Sequence, residues 1–72
     1  MVRFNADKTA KNLLELITKN DFKIDYVAYK CGVCRSAVYH WITGRSVPSI
    51  DCLITLADMF NCKIDDLIIV DR

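Results

Sequence analysis

Between Asp7 and Asn20 the apolar residues Ala10, Leu13, Leu14 and Ile17 recur at the i, i+3, i+4, i+7 spacing of one helical face. Lys8, Lys11, Asn12, Glu15 and Lys19 fill the opposite side, and Asp7 in the first turn complements the positive end of the helix dipole. A packing helix is predicted there. A second helix is predicted over Ile24 to Lys30, where Ile24, Val27, Ala28 and Cys31 keep the same period until Gly32 stops it. Val33 stands alone after that stop and reads as a buried plug, while Cys34 occupies the N-cap position with a thiol where a hydroxyl caps better. The third segment, Arg35 to Thr43, sets Val38, Trp41 and Ile42 on one side and Arg35, Ser36, Tyr39 and His40 on the other, with Gly44 as its end. Trp41, beside Val38, reads as a core residue.

Pro48 cannot continue a helix and Ser49 is a good N-cap, so a fourth helix is predicted from about Ile50 to Asn61, with Leu53, Ile54, Ala57 and Phe60 as its buried stripe. Asn61-Cys62-Lys63 leads to a fifth, Ile64 to about Val70, with Asp65 and Asp66 at its positive end. Leu67 to Val70, four apolar residues in a row, could equally extend as a tail. The predicted class is all-α, five short helices. Three residues (Gly32, Val33, Cys34) separate the second and third, and glycine in the first of them is the mark of a helix-turn-helix over about 24–43.

Length narrows the options further. Seventy-two residues, 53% of them hydrophobic, make one domain spanning 1–72 and leave no room for a large substrate cleft. No apolar run approaches the roughly 20 residues of a membrane span. Met1 to Asp7 carries Arg3, Asn5 and Asp7 with no apolar stretch after it, so no signal peptide is expected and the cytoplasm is the expected location. There is one histidine, no nucleophile with a recognisable base, no carboxylate pair beyond Asp65-Asp66 and no glycine-rich phosphate loop. Neither catalysis nor a small-molecule substrate is expected. Cys31-x-x-Cys34 has metal-ligand spacing, but Cys52 and Cys62 do not repeat it, so Cys31 and Cys62 read as small hydrophobes and neither metal nor cofactor is expected. Disulfides are not expected in the cytosol. Cys34, at a helix N-terminus that lowers thiol pKa, is a redox candidate.

A net charge of +1 conceals a polarity. Residues 23–50 carry Lys23, Lys30, Arg35 and Arg45 against Asp25 alone, a surplus of three positive charges. Residues 51–72 carry Lys63 and Arg72 against Asp51, Asp58, Asp65, Asp66 and Asp71, a surplus of three negative ones. One-sided charge of this kind suits a surface that meets phosphate on one side only.

The run VAYKCGVCRSAVYHWITGRSVPSIDCLITLADMFNCKIDDLI holds Ala28, Gly32, Val33, Val38, Trp41, Gly44, Pro48, Leu53, Leu56, Ala57 and Leu67 in one register. In that spaced set the chain, over roughly Leu13 to Leu67, resembles the Cro/C1-type (XRE-like) helix-turn-helix family of phage and bacterial repressors. The resemblance implies a compact lambda-repressor-like fold. It also implies a sequence-specific regulator, a repressor above all, whose helix 35–43 enters the major groove of double-stranded DNA as one half of a homodimer. Base contacts would fall to Arg35, whose fork matches guanine O6 and N7, and to Ser36, followed by Tyr39 and His40 one turn on. Backbone contacts would fall to Lys23, Thr43, Arg45 and Ser46. The chain departs from the family at the start of the second helix, where Lys23 and Ile24 replace the usual hydroxyl cap and glutamine, and at the caps Cys34 and Lys63. A second reading is a protein-interaction module, such as an antitoxin or anti-repressor subunit, that binds a partner chain through the acidic, apolar Asp65 to Val70. On either reading the only apolar surplus offered for an interface is Ile68, Ile69 and Val70.

Overall fold

A computed structural model describes residues 2–72. In chain order it contains β1 (Arg3–Phe4), α1 (Ala6–Lys19), α2 (Ile24–Cys31), α3 (Arg35–Ile42), α4 (Ile50–Phe60), a single 3-10 turn (Ile64–Asp66) and β2 (Val70–Asp71). Four of the five predicted helices are present, each within one residue of its expected limits. The caps explain their ends. Asn5 Oδ1 accepts the Lys8 N–H at 2.8 Å to start α1, and Ser49 Oγ accepts the Cys52 N–H at 3.3 Å to start α4. Gly32 (φ 70°) closes α2 in the left-handed conformation, with the Val33 N–H returning to the Ala28 carbonyl at 3.0 Å. At the end of α4 the same reversal falls to Asn61 (φ 54°), a residue whose short polar side chain tolerates it.

The core forms where α1, α2, α3 and α4 converge: Leu13 and Ile17, Val27 and Ala28, Val38 and Trp41, and Leu53, Leu56, Ala57 and Phe60. Trp41 is buried as its position predicted. Two expected core residues are not. Leu14 is 43% exposed and Ile54 52%, because each stands at one edge of its apolar arc and the buried surface extends at the opposite edge instead, to Thr9 in α1 and to Cys52 and Leu56 in α4. In α4 that arc is Cys52, Leu53, Leu56, Ala57 and Phe60, so Leu56 takes the place expected for Ile54.

The fifth helix is the main correction, and of the two expectations for Leu67 to Val70 the extended tail is the one observed. After one 3-10 turn Leu67 drops into the core and the chain extends, pairing antiparallel with β1 in the register Arg3↔Asp71 and Phe4↔Val70. Helix α1 takes the backbone groups that a continuing helix would use internally. Thr9 Oγ1 accepts the Ile69 N–H at 2.9 Å and donates to the Ile69 carbonyl at 3.3 Å. Asn12 Nδ2 donates to the carbonyls of Asp66 (2.7 Å) and Leu67 (3.1 Å). Asn5 Nδ2 reaches Asp71 Oδ2 at 3.0 Å and closes the two chain ends on each other. Ile68, Ile69 and Val70 are accordingly half-buried in the protein's own fold. Exposed apolar residues are found instead around the start of α4, where Val47 precedes the helix and Ile50 and Ile54 lie one turn apart on it.

Candidate nucleic-acid interface

Helix α3 lies across α2 and α1 with Val38 and Trp41 inward. Its period then puts Arg35, Ser36, Tyr39 and His40 on the outer face, and all four are exposed. Ser36, Tyr39 and His40 join Thr43 and Arg45 around a shallow cavity of about 280 Å³. The loop after α3 is folded back to that face by its backbone, since the N–H groups of Arg45 and Ser46 both donate to the His40 carbonyl, at 2.9 and 3.3 Å. Thr43 Oγ1 donates to the Tyr39 carbonyl at 2.7 Å and secures the last turn. The fold thus assembles five of the eight predicted site residues around one concavity, with Ser46 exposed in the adjoining loop. Lys23 stands apart, exposed at the start of α2 with no side-chain cap hydrogen bond.

Arg35, at the opposite end of the outer face, is not free. Its Nη1 donates to Asp25 Oδ1 at 3.1 Å, an exposed ion pair that bridges α2 and α3 across the turn. Sequence reasoning missed Asp25 as a site residue. Its signal was present in the charge count, where it is the one acid among residues 23–50.

Cys34 caps α3 without a standard side-chain hydrogen bond, and its exposed Sγ lies 3.0 Å from Ser36 Oγ. Hydrogen bonding from the Ser36 hydroxyl, aided by the amide of Ala37, lowers the thiol pKa. As a thiolate, Cys34 accepts a hydrogen bond from the Ser36 hydroxyl, which leaves the Ser36 oxygen as an acceptor toward any ligand. The other thiols differ. Burial, reinforced by neighbouring Cys52, pushes Cys31 up to about 11, and burial followed by the nearby Asp66 carboxylate raises Cys62. Among the described residues no three His, Cys, Asp or Glu side chains converge as metal ligands do, and no helix is long and apolar enough to cross a membrane.

A short helix packed against α1 and α2, preceded by a glycine turn and presenting basic, hydroxyl and aromatic side chains on one open face, defines a helix-turn-helix DNA-binding domain. Residues 12–71 match the model of the Cro/C1-type HTH DNA-binding domain. The chain belongs to that family. The fold is similar to that of the restriction-modification controller protein C.AhdI from Aeromonas hydrophila, with a TM-score of 0.77 and 24% sequence identity over 86% of this chain and 94% of that one. No curated protein sequence matches it.

Proposed function

We propose that this protein is a sequence-specific transcriptional repressor, acting in the cytoplasm, that reads the major groove with α3 and binds a two-fold operator as a homodimer. The observation that carries the proposal is the continuous outer face of α3, exposed from Arg35 through Ser36, Tyr39 and His40 to the cavity shared with Thr43 and Arg45. Arg35 donates to guanine O6 and N7, and Ser36, Tyr39 and His40 meet base edges, a thymine methyl or the adjoining backbone. Lys23, Thr43, Arg45 and Ser46 hold phosphates and set the register. Val47, Ile50 (68% exposed) and Ile54 form the apolar surface available for pairing, and half-sites lie about 34–36 Å apart. A regulatory role is in keeping with the similar fold of a controller protein.

Partner binding through Asp65 to Val70 has less behind it. Leu67 is fully buried, and the Ile69 backbone is already bonded to Thr9 and Asn5. Selection of bound sequences from a random DNA pool, followed by Arg35→Ala, tests the proposal. The expected loss is about 1–3 kcal/mol confined to one operator position. Uniform weakening across all sequences would reassign Arg35 to a phosphate, and no binding at low salt would remove the proposal altogether.

A further inference from the structure

We propose that Asp25 is a specificity-determining positioning residue that makes Arg35 read a base rather than grip a phosphate. The inference rests on the reading of Arg35 as a base contact.

Asp25 lies in the first turn of α2 and Arg35 begins α3, ten positions on. The turn at Gly32 brings the two side chains together, and the single contact of 3.1 Å uses one carboxylate oxygen and one guanidinium nitrogen. A guanidinium has five N–H donors in a fixed fork, so the remaining edge can still make a paired contact with guanine. The tether acts on the alternatives. An arginine at the edge of a DNA-binding face has a long, flexible stem, and swinging to the nearest phosphate contributes attraction that is independent of sequence. Asp25 offsets that attraction twice. It holds the guanidinium to one position, and its own negative charge opposes the approach of a phosphate to that position. Both groups are largely exposed, at 65% for Arg35 and 69% for Asp25, so the pair is weak enough for the guanidinium to adjust when a base offers two acceptors. Asp25 is also the only acid among residues 23–50, so the one negative charge of the basic segment sits on the arginine best placed to read sequence.

The test compares wild type, Asp25→Asn, Asp25→Glu, Arg35→Ala and the Asp25→Asn/Arg35→Ala pair, each confirmed folded by its thermal melt. Each is titrated against the selected operator, operators altered at single positions, and random duplex at several salt concentrations. Asp25→Asn is expected to tighten random-duplex binding several-fold and to steepen the salt slope by up to about one unit per chain. It should also cut discrimination roughly tenfold at the one base pair that Arg35→Ala identifies, leaving other positions unchanged. Asp25→Glu should restore that discrimination. In the Arg35→Ala background, Asp25→Asn should have no position-specific effect. An Asp25 that only stabilises α2 through the helix dipole would change operator and random duplex by the same factor, and that result overturns the proposal. So does an Asp25→Asn effect on discrimination that persists without Arg35. Uniform weakening by Arg35→Ala alone is a separate failure, which removes the base-contact reading itself.

Discussion

Thr9 is the one buried polar residue among the described residues, and replacing it by valine is expected to loosen the C-terminal segment without touching α3. Valine keeps the shape and removes the hydroxyl. The two hydrogen bonds lost are not equivalent. The Ile69 carbonyl keeps a second donor, the Asn5 N–H at 2.9 Å, whereas the Ile69 N–H has Thr9 Oγ1 as its acceptor at 2.9 Å. The penalty is therefore that of one orphaned amide, about 1–3 kcal/mol, with the lower half expected because Ile69 is only half-buried. For a domain of this size that lowers the melting temperature by roughly 5–15 °C. Thr9→Ser keeps both hydrogen bonds and loses one methyl, about 0.8 kcal/mol. Urea unfolding followed by circular dichroism measures the stabilities, and amide exchange at Ile69 separates the mechanisms, since only the valine variant should lose protection there. A Thr9→Val protein as stable as wild type, with the Ile69 amide exchanging no faster, would refute the account of why the last segment is not a helix.

Two further outcomes are expected. Iodoacetamide should modify Cys34 first in the folded protein, with the rate rising at a lower pH than in the unfolded chain, because Ser36 favours the thiolate; Cys31, held near 11, and Cys62 should react last. Mass mapping across a pH series reads this, and a midpoint for Cys34 equal to that of the unfolded chain contradicts it. Ile54→Asp on the exposed face of α4 should change folding stability by no more than about 0.5 kcal/mol, as surface substitutions do, yet weaken self-association at least tenfold by sedimentation. Unchanged association would move the pairing surface elsewhere.

The helix-turn-helix was legible because its signals are local. Gly32 is followed by one apolar residue and a polar cap, and Val38 and Trp41 fix which side of α3 faces inward. Once that side is known, Arg35, Ser36, Tyr39 and His40 have only solvent to face. The errors share a different origin. Leu14 and Ile54 satisfy the same i, i+4 spacing as their buried neighbours, and only the placement of the other helices decides which edge of a wide apolar arc is covered. From sequence the end of the chain could be helix or extended tail, because its conformation is set by groups 54 to 66 positions away, in Asn5, Thr9 and Asn12, whose amides and hydroxyl capture the carbonyls and carboxylate of residues 66 to 71. Asp25 was overlooked for the same reason, since nothing in the spacing from Asp25 to Arg35 shows that a turn will bring them to 3.1 Å.

The charge arrangement now bears on how such a small domain finds its site. Of the residues proposed to meet phosphates, Thr43 and Ser46 are neutral, so on that proposal only Lys23 and Arg45 would release counterions, roughly two units of salt slope per chain and about four for a dimer. Between 50 and 200 mM salt that corresponds to a loss of about a hundredfold in affinity, well below the roughly thousandfold or more expected of proteins with six to ten phosphate contacts. Arg35 adds little to this background while Asp25 holds it. The acidic end adds nothing either, because Asp71 faces Asn5 and Lys8, and Asp66 accepts the Lys63 N–H at 3.1 Å, so these carboxylates serve to close the chain ends and the last turn. A weak background raises the ratio of specific to non-specific binding even when absolute affinity is modest, and that ratio governs occupancy among many competing sites. On the proposed two-fold operator, selectivity would depend on Arg35, Ser36, Tyr39 and His40 acting twice, once in each half-site, which would make pairing through α4 as necessary to recognition as the recognition helix itself.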